Sequence, residues 1–203
     1  MDRKSLTYVD TSVFLAYILG DKDPQKYALA KDFLEGLASN GQEAILSNLA
    51  LMEILAVLRS IKSKDFRTLN SIQGWDKRLT YVIDGAKAMY EELVGICLKL
   101  QVIRFMPSGL NLDFSQLSLS ALEILNAMRG KVQFQYFCSG CGTEKKTQFF
   151  SAHKCVGIVD VVHSLLAKEL KCNELVTFDK GFDELRAEPK IQPLDIRVMK
   201  PPK

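Results

Sequence analysis

Four carboxylates stand in this 203-residue chain where apolar surroundings should exclude them. Asp10 closes the apolar run of "LTYVD", and Asp179 follows the run of "LVTF". Glu53 interrupts "LALMEILAVL", and Asp160 interrupts "GIVDVVHSLLA". Taken singly, each has an ordinary structural use. Asp10 and Asp179 suit helix N-caps, Asp160 suits a cap after Gly157, and Glu53 suits a buried pair with Arg59 or a neighbouring lysine. Taken together, they suit a different chemistry. Carboxylates gathered in one cleft repel each other, and some hold protons unless cations are present. Oxygen donors match hard ions such as Mg²⁺ or Mn²⁺, and an ion held this way polarises a phosphoryl oxygen and activates water for in-line attack. His163 lies three residues after Asp160 on the same helical face, where it could touch the site. The simpler expectation is a partly buried helix residue, hydrogen-bonded locally. Asp183, four residues after Asp179, reads as a solvated acid in the first turn of a short helix.

A second constellation is softer. Cys138 and Cys141 form a C-x-x-C pair in "CSGCG", and after eleven further residues His153 and Cys155 form H-x-C. Two closely spaced thiolates at such a turn, joined by an imidazole and a third thiolate, suit tetrahedral Zn²⁺. The purpose of that zinc is expected to be structural, because a lone hairpin is too short to fold by itself. Lys145 and Lys146 at its tip, with Phe134, Tyr136, Phe149 and Phe150 in its arms, are candidates for RNA contact through phosphates and base stacking. The same aromatics would equally serve to fasten the hairpin to the domain. Cys97 and Cys172 read as ordinary buried thiols.

The elements that must position these groups alternate. Leu6–Val9, Ala44–Leu46, Val102–Phe105, Leu175–Phe178 and Ile196–Met199 read as short apolar strands. Pro24–Ala38, Leu49–Ile61, Leu79–Leu100, Ser115–Met128 and Ile158–Leu170 read as helices, with Leu49–Ile61 apolar almost all round and so expected to be deeply buried. Strands alternating with helices imply βαβ units and a parallel α/β sheet, whose ligands gather at the carboxyl ends of the strands. Asp10 and Asp179 close two such strands. Glu53 and Asp160 lie early in helices. Val132–Lys154 breaks the rhythm as an inserted β-hairpin, so the expectation is one domain over 1–203 with a zinc-binding insert at 131–155. Hydrophobic residues make up 47% of the chain and charged residues 25%, with a formal charge of +3. That is ordinary for a soluble domain and gives no global basic field, so any nucleic-acid surface must be local. No apolar run approaches the roughly 20 residues of a membrane span. Five cysteines, three of them clustered with a histidine, favour thiols and a metal over disulfides. These features fit the cytoplasm.

In their order along the chain, "YVDTSVFLAY", "LSNLALMEILAVL", "GIVDVVHSLLAKEL" and "ELVTFDKGF" resemble the four motifs of PIN-domain ribonucleases. Asp10, Glu53, Asp160 and Asp179 match the family's four acids, with 18 residues between the last two. Ser12 and Thr177 match the small hydroxyl positions beside them. The resemblance implies a three-layer α/β/α sandwich, Mg²⁺ or Mn²⁺ in the acidic cleft, and cleavage of single-stranded RNA. Through the VapC-type toxins among its members it also implies an antitoxin protein as partner and a homodimer. The long helices Pro24–Ala38 and Leu79–Leu100, which carry more apolar positions than one sheet face needs, point to a dimer as well. The chain departs from compact members in its length and its hairpin insert. Two other functions fit the same acids. One is a non-catalytic RNA-binding or scaffold protein of the same fold. The other is a phosphatase-like phosphotransfer enzyme with Asp10 as nucleophile, although such enzymes commonly place a second Asp two residues on, where this chain has Ser12.

Overall fold

The computed structural model describes residues 5–40, 42–101, 103–106, 112–129 and 156–202. The insert at 131–155, with Cys138, Cys141, Lys145, Lys146, His153 and Cys155, lies outside the described residues. The elements in chain order are β1 (Leu6–Val9), α1 (Thr11–Ile18), α2 (Pro24–Ser39), β2 (Glu43–Leu46), α3 (Asn48–Ser63), α4 (Phe66–Ser71), α5 (Trp75–Leu100), β3 (Ile103–Phe105), α6 (Phe114–Arg129), α7 (Ile158–Glu169), β4 (Glu174–Thr177) and β5 (Asp195–Val198). Short 3₁₀ turns run over Gly20–Lys22 and Lys180–Ala187. The protein is α/β, and the strand pairings within each unit below are parallel. The described residues group into two compact units, one from 1–10 and 107–200, the other from 11–106 and 201–203. Among the described residues, no helix is long and apolar enough to cross a membrane.

In the first unit β4 lies between β1 and β5, with Val9 opposite Val176 and Thr177 opposite Val198. Leu175, Val176 and Thr177 are all buried. This continuous burial is what a strand covered on both faces requires. One further ladder bond, from the Asp10 N–H to the Val176 carbonyl at 3.0 Å, holds Asp10 at the carboxyl edge of β1. At the other end Asn173 accepts from the Leu6 N–H through its side chain and donates to the Leu6 carbonyl through its own N–H. α6 packs on α7. It buries Leu117, Ala121, Ile124, Leu125 and Met128, a stripe at helical spacing.

In the second unit β2 pairs with β3, Leu46 opposite Phe105, across a crossover made of α3, α4 and α5. Ser47 caps α3 by accepting from the Ala50 N–H at 3.1 Å. The expectation that α3 would be deeply buried holds for one stripe and is corrected for the rest. It buries Ala50, Ile54 and Leu58, one residue per turn, against α5 and α1, while Met52 and Leu55 are exposed. An apolar composition does not by itself supply a neighbour for every face. α5 begins at Trp75 rather than Leu79. Its extra turn carries exposed Trp75, so the burial periodicity gives no sign of it. The preceding α4 is held by Asp65, which accepts from the Thr68 N–H at 3.2 Å and from the Tyr81 hydroxyl at 2.7 Å.

Candidate metal centre

The centre of interest in the first unit is the place where β1 and β4 end side by side. Thr177, fully buried, donates its hydroxyl to Asp10 Oδ2 at 2.8 Å, and its oxygen accepts the Asp179 N–H at 2.9 Å. A hydroxyl has one proton, and the amide can only donate, so the direction of the chain is determined: Asp179 N–H to Thr177, Thr177 O–H to Asp10. Asp10 is itself buried, so this bond supports its carboxylate where water is scarce.

Asp179 and Asp160 both carry out the structural tasks open to them. Asp179 caps the 3₁₀ turn, its Oδ1 accepting from the Gly181 N–H at 2.7 Å. Asp160, in the first turn of α7, reaches back so that Oδ2 accepts the Gly157 N–H at 2.7 Å. Each cap uses one carboxylate oxygen, and an ionised carboxylate has about four acceptor sites. Capping and metal binding are therefore compatible in the same side chain.

The electrostatics join these acids. Burial, above all, pushes the Asp160 carboxyl up to about 7, and the charges of Asp179 and Asp10 push the same way. The Gly157 N–H and His163 oppose them. A carboxyl that resists ionisation beside two others is in the state that a nearby divalent cation would relieve.

His163 differs from expectation. It is buried, and its Nδ1 lies 2.6 Å from the hydroxyl of Tyr8, which is 155 positions away on β1 and also buried. The two rings meet edge-on, 5.7 Å between centroids. The expectation named a bond within the helix, and this one runs to a distant strand. One imidazole nitrogen of His163 also lies within 4.8 Å of an Asp10 carboxylate oxygen. Strand and helix periods account for this: Tyr8 and Asp10 share one face of β1, and Asp160 and His163 share one face of α7. Asp183 forms ion pairs with Arg186 at 3.0 Å and Lys200 at 3.7 Å, as a solvated first-turn acid should.

In the second unit Glu53 is half-buried on α3, and its Oε2 accepts the Thr11 hydroxyl at 2.7 Å. Thr11 is the residue bonded directly to Asp10, and Ser12 follows it in α1. Arg59, the partner considered for Glu53 from sequence, is exposed. Thr11 and Tyr8 are two supporting residues that sequence reasoning does not single out. The hydroxyl of Thr11 is visible in "DTS", whereas nothing near Tyr8 in the chain announces an imidazole. Burial pushes the thiols of Cys97 and Cys172 up to about 12, so both are inert, as expected of core cysteines.

The Thr177 bridge has a measurable weight. Thr177→Val leaves Asp10 without its hydroxyl donor and the Asp179 N–H without its acceptor. A loss of about 1–3 kcal/mol is expected for groups so buried, read as a lower urea midpoint with an unchanged slope.

Comparisons of the chain with protein-family models, with curated proteins and with solved structures gave no match.

Proposed function

We propose that this chain is a divalent-metal-dependent endoribonuclease of PIN-like, three-layer α/β/α architecture that cuts single-stranded RNA. The observation that carries the reading is the gathering of three acids at one edge of the first unit's strands. Asp10 and Asp179 are linked through Thr177, and their charges add to the burial that pushes the Asp160 carboxyl up to about 7. Glu53 is assigned as the fourth acid from its place in the motif order. The donor set is rich in carboxylate oxygen, which fits Mg²⁺ or Mn²⁺. Such an ion, when bound, supplies an activated water and charge stabilisation at the phosphoryl group. The chain's own residues do the rest. Thr177 orients Asp10, the caps at Gly157 and Gly181 orient Asp160 and Asp179, and Ser12 offers a hydroxyl beside the first acid.

The insert is proposed to hold a structural Zn²⁺ through Cys138, Cys141, His153 and Cys155, with Lys145 and Lys146 meeting RNA. A cytoplasmic location and, for a toxin, an antitoxin protein partner belong to the same proposal. So does a homodimer, supported by exposed Trp75, Leu79 and Ile83 recurring every four residues along α5. Light scattering at tens of micromolar is expected to give the dimer mass for the parent and the monomer mass for Ile83→Lys. A monomeric parent would refute the dimer.

The test of the nuclease reading is cleavage of a fluorescent single-stranded RNA oligomer with Mn²⁺ or Mg²⁺, and its loss in EDTA. The capping bonds of Asp160 and Asp179 favour a second reading, a scaffold that keeps the acids for structure. RNA binding without metal-dependent turnover would select it. A trapped phosphoryl-enzyme on Asp10 would select the phosphotransfer alternative instead.

A further inference from the structure

We propose that His163 is a ligand of the ion held by Asp10, bound through Nε2, with Tyr8 selecting the ring tautomer that allows it. The inference rests on the metal-site reading above and adds a nitrogen donor to it.

A buried imidazole has to place both of its nitrogens. His163 is 1% exposed, and its Nδ1 meets the hydroxyl of Tyr8, itself fully buried, at 2.6 Å. Two proton arrangements fit that contact. If the phenol donates, Nε2 carries the ring proton and has no lone pair for a metal. If Nδ1–H donates to the phenol oxygen, the lone pair lies on Nε2. The second arrangement is the one by which metal-ligating histidines are commonly held, with an acceptor behind the ring fixing orientation and tautomer.

Geometry favours it over a histidine that merely fills the core. Donors about 2.1 Å from a shared ion stand roughly 3–4 Å apart. An imidazole nitrogen of His163 and an oxygen of Asp10 lie within 4.8 Å. A small closure on the ion brings them into range. The helical spacing that puts Asp160 in the first turn of α7 puts His163 on the same face, one turn on.

The consequence is metal preference. Imidazole nitrogen suits Mn²⁺ and later transition ions better than Mg²⁺, whose sites are built of oxygen. The proposed site should therefore separate the two ions by His163.

The experiment is pulsed electron paramagnetic resonance on the full-length protein loaded with Mn²⁺, together with Mn²⁺ and Mg²⁺ titrations. The expected spectrum shows coupling to an imidazole nitrogen that changes when histidine alone carries ¹⁵N. The chain has two histidines, so the signal should persist in His153→Gln and vanish in His163→Gln. Mn²⁺ affinity should fall about 10–100-fold in His163→Gln, and in the same direction in Tyr8→Phe, with Mg²⁺ affinity nearly unchanged. The parent spectrum decides the matter even where a variant fails to fold. Bound Mn²⁺ without histidine coupling overturns the ligand assignment and leaves the nuclease reading standing. Absence of Mn²⁺ binding overturns both.

Discussion

Asp10→Asn should reduce metal-dependent RNA cleavage by roughly a thousandfold or more, and Asp160→Asn should do the same, because each removes a charge from the donor set proposed to hold the ion. The folds of both variants should survive. In Asp10→Asn the side-chain amide oxygen can still accept the Thr177 hydroxyl, and in Asp160→Asn it can still accept the Gly157 N–H, so each bond seen in the parent keeps an acceptor. Circular dichroism and a melting curve check the fold, and Mn²⁺-dependent cleavage checks the chemistry. Variants that cut at the parent rate would show that these acids are structural only. Asp160 is the sharper test of the two, since it has a visible cap to perform and would otherwise be taken for a helix-start residue.

The second large effect is a pH dependence with an unusual sign. Most carboxylates stabilise folded proteins as they ionise. Here the Asp160 carboxyl rises from 3.8 to about 7 on folding, chiefly through burial, and the folded chain holds this proton more tightly than the unfolded one. Between those values the unfolded state is the one that releases the proton, so metal-free protein should lose stability as pH rises from about 4 to 7. Above that range the loss is complete, and this group alone contributes up to about 4 kcal/mol of it. Asp160→Asn should erase that part of the slope. The variant should match the parent near pH 4 and exceed it near pH 8, a comparison made by urea denaturation in the presence of EDTA. Saturating Mn²⁺ should narrow the gap by stabilising the charged form. A parent whose stability rises steadily from pH 4 to pH 8 by the same amount as the variant's would remove Asp160 from the acid cluster.

How much of this is legible in the sequence varies with the range of the interaction concerned. Asp10 and Asp179 are visible at strand ends because Asp is out of place in an apolar run. The Gly157–Asp160 cap is visible because it spans three residues. The Tyr8–His163 contact is not, since its partners are 155 positions apart and only the parallel pairing of β1 with β4, beside α7, could bring them together. The deep burial expected of α3 fails at Met52 and Leu55 for a related reason: their apolarity is local, while the neighbours that would cover them are not. α4 escapes notice because its cap, Asp65, is completed by Tyr81, sixteen residues on.

Thr177 is used three times over: its carbonyl takes the Met199 N–H at 2.8 Å, and its hydroxyl oxygen serves Asp10 and Asp179 at once. A strand turns successive side chains to opposite faces, so one added residue between Leu175 and Thr177 would point this hydroxyl away from Asp10 and shift the acid behind it. Leu175 and Val176, by contrast, supply only apolar bulk and could be exchanged for one another's type at modest cost. The segment should therefore accept changes of spelling and refuse changes of length. Any library built over Glu174–Asp179 should recover apolar exchanges of similar volume at 175 and 176 and almost no insertions.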